Sequence, residues 1–361
     1  MFLEKEGKLI YSYDGETVCI EAWGKDALRV RATKNRSFTG RDWALEAKDA
    51  HAGEVEIFED PSAKGGAFAN MYEGTDTSYG KITNGKLHAV IDSGSVITFY
   101  HEDGRVLLKE HFRRLRDEES MPLNIMGREY SNGVGDNFRI VARFVARKGE
   151  KIFGMGQYQQ HELDLKGCML ELAQRNSQVS VPFYLSSIGY GFLWNNPGVG
   201  QVMFANNGTE WVTESGKEID YLVIAGDTPA EIEENYMTLT GKPPMMPEYG
   251  MGFWQCKLRY WNQEQLLSVA RKYKELGVPL DVIVVDFFHW TKQGEFKFDP
   301  KYWPDVPGMC RELKEMGIQV VVSVWPTVDI YSEKLLRRLK EKGYLVRTEH
   351  GCTADDALRW K

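Results

Sequence analysis

YGMGFWQCKLRY (249–260), PLDVIVVDFFHW (279–290) and IQVVVSVW (318–325) fall within one stretch, 249–325. Two apolar runs in it, 282–285 and 320–324, have the length of strands buried on both faces. Each ends out of character, in Asp286 after the first and in Trp325 and Pro326 after the second. The segments around them have helical period and close on glycines, Gly277, Gly317 and Gly343. NQEQLLSVARKYKELG (262–277) has Asn262 as N-cap and Gln265 three residues on, a capping-box arrangement, with Leu266, Ala270 and Tyr273 on its apolar face. PGMCRELKEMG (307–317) and SEKLLRRLKEKG (332–343, capped by Ser332) repeat the pattern. Strand and helix alternate three times, which predicts a parallel sheet or barrel with chemistry at the strand ends. The loop FFHWTKQGEFKFDPKYWPDV (287–306) is long for a β/α connection, a length that goes with function.

Upstream the grammar is different. From Met1 to about Asp227 short β-rich runs dominate: ALRVRA (27–32), LHAVID (87–92), SVITFY (95–100), FRIVARFVA (138–146), VSVPFYLSS (179–187), YGFLWNN (190–196), QVMFAN (201–206) and YLVIAG (221–226). Asp103-Gly104, Asn132-Gly133 and Asn207-Gly208 mark turns between them. This is the pattern of a β-sandwich. The Gly-, Ala- and charge-rich stretch 35–80 reads as a long loop or covering segment. Thr228 and Pro229 then open a helix, PAEIEENYMTLTG, with Ile232, Tyr236 and Leu239 on its apolar face. Pro243, Pro244 and Pro247 stiffen the segment that follows. The expected division is a sandwich domain over 1–240, a Pro-rich linker over 241–247 and a β/α domain over 248–361. The last is less than half of the ~250 residues that an eight-fold barrel needs, which leaves a small open α/β domain or the first three units of a barrel. The end, TADDALRWK, carries no closing feature.

Composition narrows the function. An apolar share of 42% and a charged share of 27% are ordinary for a globular protein. A net charge of −7 argues against nucleic acid or an anionic membrane as partner. No run approaches the ~20 apolar residues of a membrane span. The N-terminus has no signal-peptide core, and five scattered cysteines form no C-x-x-C pair. A cytoplasmic protein with reduced thiols, no metal and no cofactor is the expectation. Gly154-Met155-Gly156 lacks the third glycine of a dinucleotide fingerprint and reads as a tight turn. His161-Glu162 has no second histidine four on, so a zinc-protease helix is excluded.

Asp286 carries the chemical argument. A carboxylate after four β-branched residues stands at a strand mouth or in the core, and unpaired burial is costly. It either caps the next segment or pairs with an arginine, or it accepts hydrogen bonds from ligand hydroxyls. Trp325 and Trp254 occupy the same layer on neighbouring strands, as core aromatics or as walls for a ring-shaped ligand. His289 is expected as a solvated loop histidine, with ligand contact the alternative.

KIFGMGQ, VPFYLSSIGYGFLWNNP, IDYLVIAGDTPAEIEENYMTLTGKPPMMP, VPLDVIVVDFFHW, FKFDPKYWPD and MCRELKEMGIQVVVSVWP, in this order, resemble glycoside hydrolase family 31, the retaining α-glucosidases and α-xylosidases. The resemblance runs from ALRVRA to KGYLVR and implies a mutarotase-like β-sandwich before a (β/α)8 TIM barrel, here about three β/α units of it. It implies that Asp286 is the −1 subsite aspartate, that Phe287 shapes the space near C6, and that Trp325 walls the subsite. It further implies that Gln174-Arg175-Asn176 lies where a sandwich loop reaches the barrel mouth, although an aspartate common in that loop is missing, and that Trp290 faces the aglycone. The family's nucleophile motif, of W-x-D-M-N-E or K-x-D-F-G-E type, does not occur in these residues, and the acid/base aspartate follows later still. Retaining hydrolysis needs both carboxylates. The expectation is therefore an N-terminal portion of an α-xylosidase, inactive alone, that binds an oligosaccharide through Asp286, Phe287, Trp325, Trp254, Asn176 and Trp290; a homo-oligomer is compatible with the full-length form. An α-glucosidase is the alternative within the family, and a non-catalytic carbohydrate-binding protein the alternative outside it.

Overall fold

The β-rich runs pair into antiparallel sheets. The computed structural model describes residues 1–46, 49–59, 78–111, 113–114 and 124–347. Cys352, the TADDALRWK end and part of the 35–80 stretch lie outside them. One sheet runs in the order Phe2–Lys5, Lys8–Tyr13, Glu16–Trp23, Ala27–Thr33, Ile219–Ala225, Tyr190–Trp194, Val179–Ser186, Ile152–Gln157. A second runs Val106–Lys109, Ile97–His101, Leu87–Ile91, Ser78–Asn84, Glu54–Glu59, and a third Arg128–Asn132, Phe138–Phe144, Thr209–Gly216, Gly200–Phe204, Met169–Leu172. Side chains from all three meet in one core, rich in rings: Phe144, Tyr184, Phe192, Trp194, Phe204, Trp211 and Tyr221. This is the sandwich.

The strand Ile219–Ala225 is buried at every position. One face joins the ring-rich core through Ile219, Tyr221, Val223 and Ala225. The other, Leu222 and Ile224, lies with Ile232 and Leu239 of the helix Pro229–Thr240. Thr228 caps that helix by accepting from Glu231 N, and Tyr236 stacks on Phe183 at 3.8 Å.

Two expectations about this region are corrected. Part of the supposed loop 35–80 is strand, as Glu54–Glu59 and Ser78–Asn84 show. Glu54–Glu59 is almost wholly exposed, so it carries charge where a buried strand would carry apolar residues. Gly154-Met155-Gly156 is a bulge inside the strand Ile152–Gln157, where the register slips against Val179–Ser186. All three have positive φ, with Met155 at 69°. A Cβ on Gly156 would stand 2.3 Å from Val179 O, so close backbone approach dictates the glycine.

The chain separates into two units, Met1–Pro243 and Pro244–Lys361. In the second, the strands Trp254–Cys256, Val282–Val285 and Gln319–Val322 form a parallel sheet in sequence order. The helices Gln263–Glu275 and Val306–Glu315 cover one face, with Leu266, Leu267, Ala270, Met309 and Leu313 packed with Ile283 and Val285. Asn262 Oδ1 accepts from Gln265 N at 2.9 Å, while Gln265 reaches back to Trp261 N, one residue beyond the usual box. Gly277, Gly317 and Gly343 all take left-handed φ after their helices. Ser332 precedes the helix Glu333–Glu341 but does not cap it; its hydroxyl donates to Gln293 O at 3.0 Å instead. The third strand, expected to be buried on both faces, is only half-buried at Val320–Val322. Helices cover one side of this sheet, and the opposite side carries the polar and aromatic groups described next.

Candidate functional site

Side chains two apart on a strand share a face. The parallel register sets Trp254 beside Val282, Cys256 beside Val284, and Val284 beside Val321. Ile283 and Val285 turn toward the helices. Trp254, Cys256 and Val284 therefore occupy the opposite face, and one step beyond the second strand so does Asp286. Its Oδ1 accepts from Phe287 N at 2.8 Å, and its Oδ2 accepts from Cys256 Sγ at 3.7 Å. Partial burial, then the neighbouring Asp286 carboxylate, pushes the Cys256 thiol up, so it stays protonated and able to donate. Asp286 is half-buried with no arginine or lysine against it among the described residues, so neither the capping nor the ion-pair alternative describes it fully.

The turn after Asp286 is built tightly. Phe288 sits at φ 62°, a left-handed conformation uncommon for a bulky residue. His289 Nδ1 donates to Asp286 O at 3.1 Å, and Asp299 N donates to His289 O at 2.8 Å. His289 is buried, 4% exposed, between Trp290 and Phe298 at ring separations of 4.7 and 4.8 Å. The expected solvated histidine is thus a core histidine, and burial lowers it below its ordinary 6.5. Trp290 packs inside the same loop at 9% exposure.

Phe287 stacks on Trp325, with centroids 5.6 Å apart and planes 24° from parallel. Trp254 and Trp325 remain 44% and 40% exposed. Lys292 Nζ donates to Tyr331 O at 2.8 Å, and Gln293 donates to Thr327 Oγ1, so the long loop is tied to the loop after the third strand. Asn176 belongs to the first unit. It and Ser177 form the exposed tip of a hairpin closed by the Arg175–Gln178 bridge, braced by Gln174 on both backbone groups of Ser180.

The structure thus brings Asp286, Phe287 and Trp325 to the C-terminal edge of one sheet, with Trp290 packed inside the adjoining loop. Trp254 shares their face but opens its strand level with Val282, at the N-terminal edge, so the expected common layer does not hold for it. Sequence reading missed Cys256, Arg259 and Phe288 there. Period-two counting from Trp254 would have put Cys256 on the same face; nothing local points to Arg259, whose guanidinium lies over Trp261 and Phe288.

A sandwich thus leads into parallel β/α units, with a carboxylate and an indole beyond the C-terminal ends of the second and third strands. Residues 17–202 match the glycosyl hydrolase 31 N-terminal galactose mutarotase-like domain, and residues 243–360 match the glycosyl hydrolases family 31 TIM-barrel domain. With both matches in the family's order, this chain belongs to glycosyl hydrolase family 31. An "uncharacterized family 31 glucosidase ORF2" of Pseudescherichia vulneris is 42% identical over 97% of this chain and 64% of its own length. An alpha-xylosidase of Saccharolobus solfataricus is 35% identical over 58% of this chain and 30% of its own. The crystal structure of a GH31 alpha-xylosidase from a soil metagenome, complexed with xylose, superposes with a TM-score of 0.85 at 45% identity, covering 96% of this chain and 50% of that one. The chain spans less than two thirds of the length of each of these relatives.

Proposed function

We propose that these residues supply the sugar-holding half of a retaining α-xylosidase. The observation that carries this is Asp286 at the C-terminal end of the second barrel strand, next to the Phe287–Trp325 stack, with Trp254 on the same face nearer the start of its own strand. A carboxylate free of ion pairs accepts hydrogen bonds from sugar hydroxyls, and indole and phenyl rings pack against the CH face of a pyranose. Asp286 binds and orients the non-reducing-end unit. Hydrolysis requires two further carboxylates, an attacking one and a proton donor, and the family motif for the first does not occur in this sequence. The bulk of Phe287 beside Asp286 crowds a hydroxymethyl group and favours xylose over glucose, by the ~1–3 kcal/mol one steric contact supplies. The relative named a glucosidase supports α-glucosidase as the second reading. Trp290 completes the proposed binding set of this unit by backing the aglycone side, and Asn176 is proposed as a sugar-binding residue of the first unit. The substrate is an oligosaccharide, and no helix among the described residues is long and apolar enough to cross a membrane. Cytoplasmic residence rests on Cys19, Cys168, Cys256 and Cys310 all being free thiols.

The test uses the 361-residue chain and a longer protein carrying it. Calorimetry of the chain with methyl α-xyloside should give heat that Asp286→Ala removes, with no turnover of an aryl α-xyloside. The longer protein should hydrolyse aryl α-xylosides faster than α-glucosides. Turnover by the chain itself, or an equal or better rate on glucosides, would overturn the corresponding part.

A further inference from the structure

Arg259 lies three residues past the first barrel strand, half-buried, and its guanidinium is flanked by two rings. Its carbon lies 3.6 Å from the centroid of Trp261 and 5.1 Å from that of Phe288. The backbone that carries each ring is fixed: Trp261 N donates to Gln265 Oε1 at 2.7 Å, and Phe288 lies in the left-handed turn before His289. Among the described residues Arg259 makes no ion pair and no hydrogen bond. Two ring contacts restrict the guanidinium's freedom and leave its in-plane N–H edge as the recognising group.

The placement of that edge is informative. Ring contacts run Trp325–Phe287–Phe288 at 5.6 and 4.5 Å, and Arg259 and Trp261 continue the series. The strip crosses all three β/α loops. Arg259 continues the strip past Phe288, in the loop of the first strand, on the other side of the second strand from Trp325. Trp261 and Phe288 are 60% and 56% exposed, so the strip is open to ligand. A carboxylate would also match the fork, but Asp286 stands two residues from Phe288 and the chain carries a net charge of −7, both of which oppose a second anion. A pair of neighbouring hydroxyl oxygens on a neutral sugar satisfies the same two donors.

We propose that Arg259 is a specificity-determining residue that binds the second sugar of the substrate, the unit on the leaving-group side, through two adjacent hydroxyls. This rests on the sugar-binding reading of Asp286. The experiment is calorimetry of the full chain with methyl α-xyloside and with an α-xylosyl disaccharide bearing glucose at its reducing end. The disaccharide should bind about tenfold tighter, the gain of hydrogen bonds to a charged donor. Arg259→Ala should remove that gain and leave methyl α-xyloside binding unchanged. Arg259→Lys, which keeps the charge but not the planar fork, should also lose most of it. No binding of either sugar by the unsubstituted chain overturns the sugar-binding reading and the proposal together. Binding of both, with Arg259→Ala weakening them equally or not at all, overturns the proposal alone.

Discussion

His289 shows how one buried side chain couples the site to pH. Its imidazole is packed between Trp290 and Phe298 and holds Asp286 O, and burial is the largest reason its affinity for protons is lowered. The folded value lies below the ordinary 6.5, so the unfolded chain takes up the proton first as pH falls. Its contribution to stability is complete above 6.5 and is lost as pH drops toward the folded value. The urea midpoint of the second unit should therefore fall between about pH 7.5 and about pH 5.5, and His289→Phe should flatten most of that slope. An unchanged slope in the variant would sink the assignment. The sequence disclosed Asp286 because a charge at the end of VIVV has few places to go. It hid the surroundings of Asp286. The Cys256 thiol meets the carboxylate only through the parallel register of two strands, and the fate of His289 depends on Phe298, nine residues on, folding back over it.

Elements announced themselves where burial was one-sided or complete and stayed silent where charge intruded. ALRVRA, VSVPFYLSS and YLVIAG all became strands. Glu16–Trp23 gave no clean signal, because Glu21 lies inside it at 1% exposure. That charge is tolerable because Lys8 and Arg31 reach it, both at 2.6 Å, and those partners come from the neighbouring strands rather than from its own sequence. The bulge at Gly154-Met155-Gly156 was misread for a similar reason, since only the facing strand requires it. Gly156 and Gly149 both have positive φ, at 91° and 82°, but a Cβ on Gly149 would meet nothing within 4 Å. Gly149→Ala should cost about 1–2 kcal/mol from the left-handed backbone alone. Gly156→Ala adds the clash with Val179 O and should cost roughly 3 kcal/mol or more. Equal losses in denaturant titrations of the two variants would show that the strand moves aside without penalty.

At the scale of the whole molecule, the cores of the two units share no residue. Each has a sensitive anchor of its own. In the sandwich, fully buried Arg29 is gripped by Asp220 at 3.0 and 2.7 Å and by Asp42 at 2.8 Å. Asp220→Ala leaves that guanidinium short of its main counter-charge, at a cost of about 3–5 kcal/mol. In the β/α unit, Asp305 Oδ1 caps its helix at Gly308 N, 2.9 Å away, and Asp305→Ala should cost ~1 kcal/mol. Calorimetric unfolding should show two transitions, with Asp220→Ala lowering one and Asp305→Ala the other; a single transition shifted by both would mean the units melt as one. The strand Ile219–Ala225 has a further consequence, for how the chain can change over generations. An ordinary sheet strand has a wet side, where mutation drifts freely at every second position. This one is roofed by a helix and floored by rings, so it has no neutral positions to offer, and seven consecutive residues are bound to vary together with their neighbours or not at all.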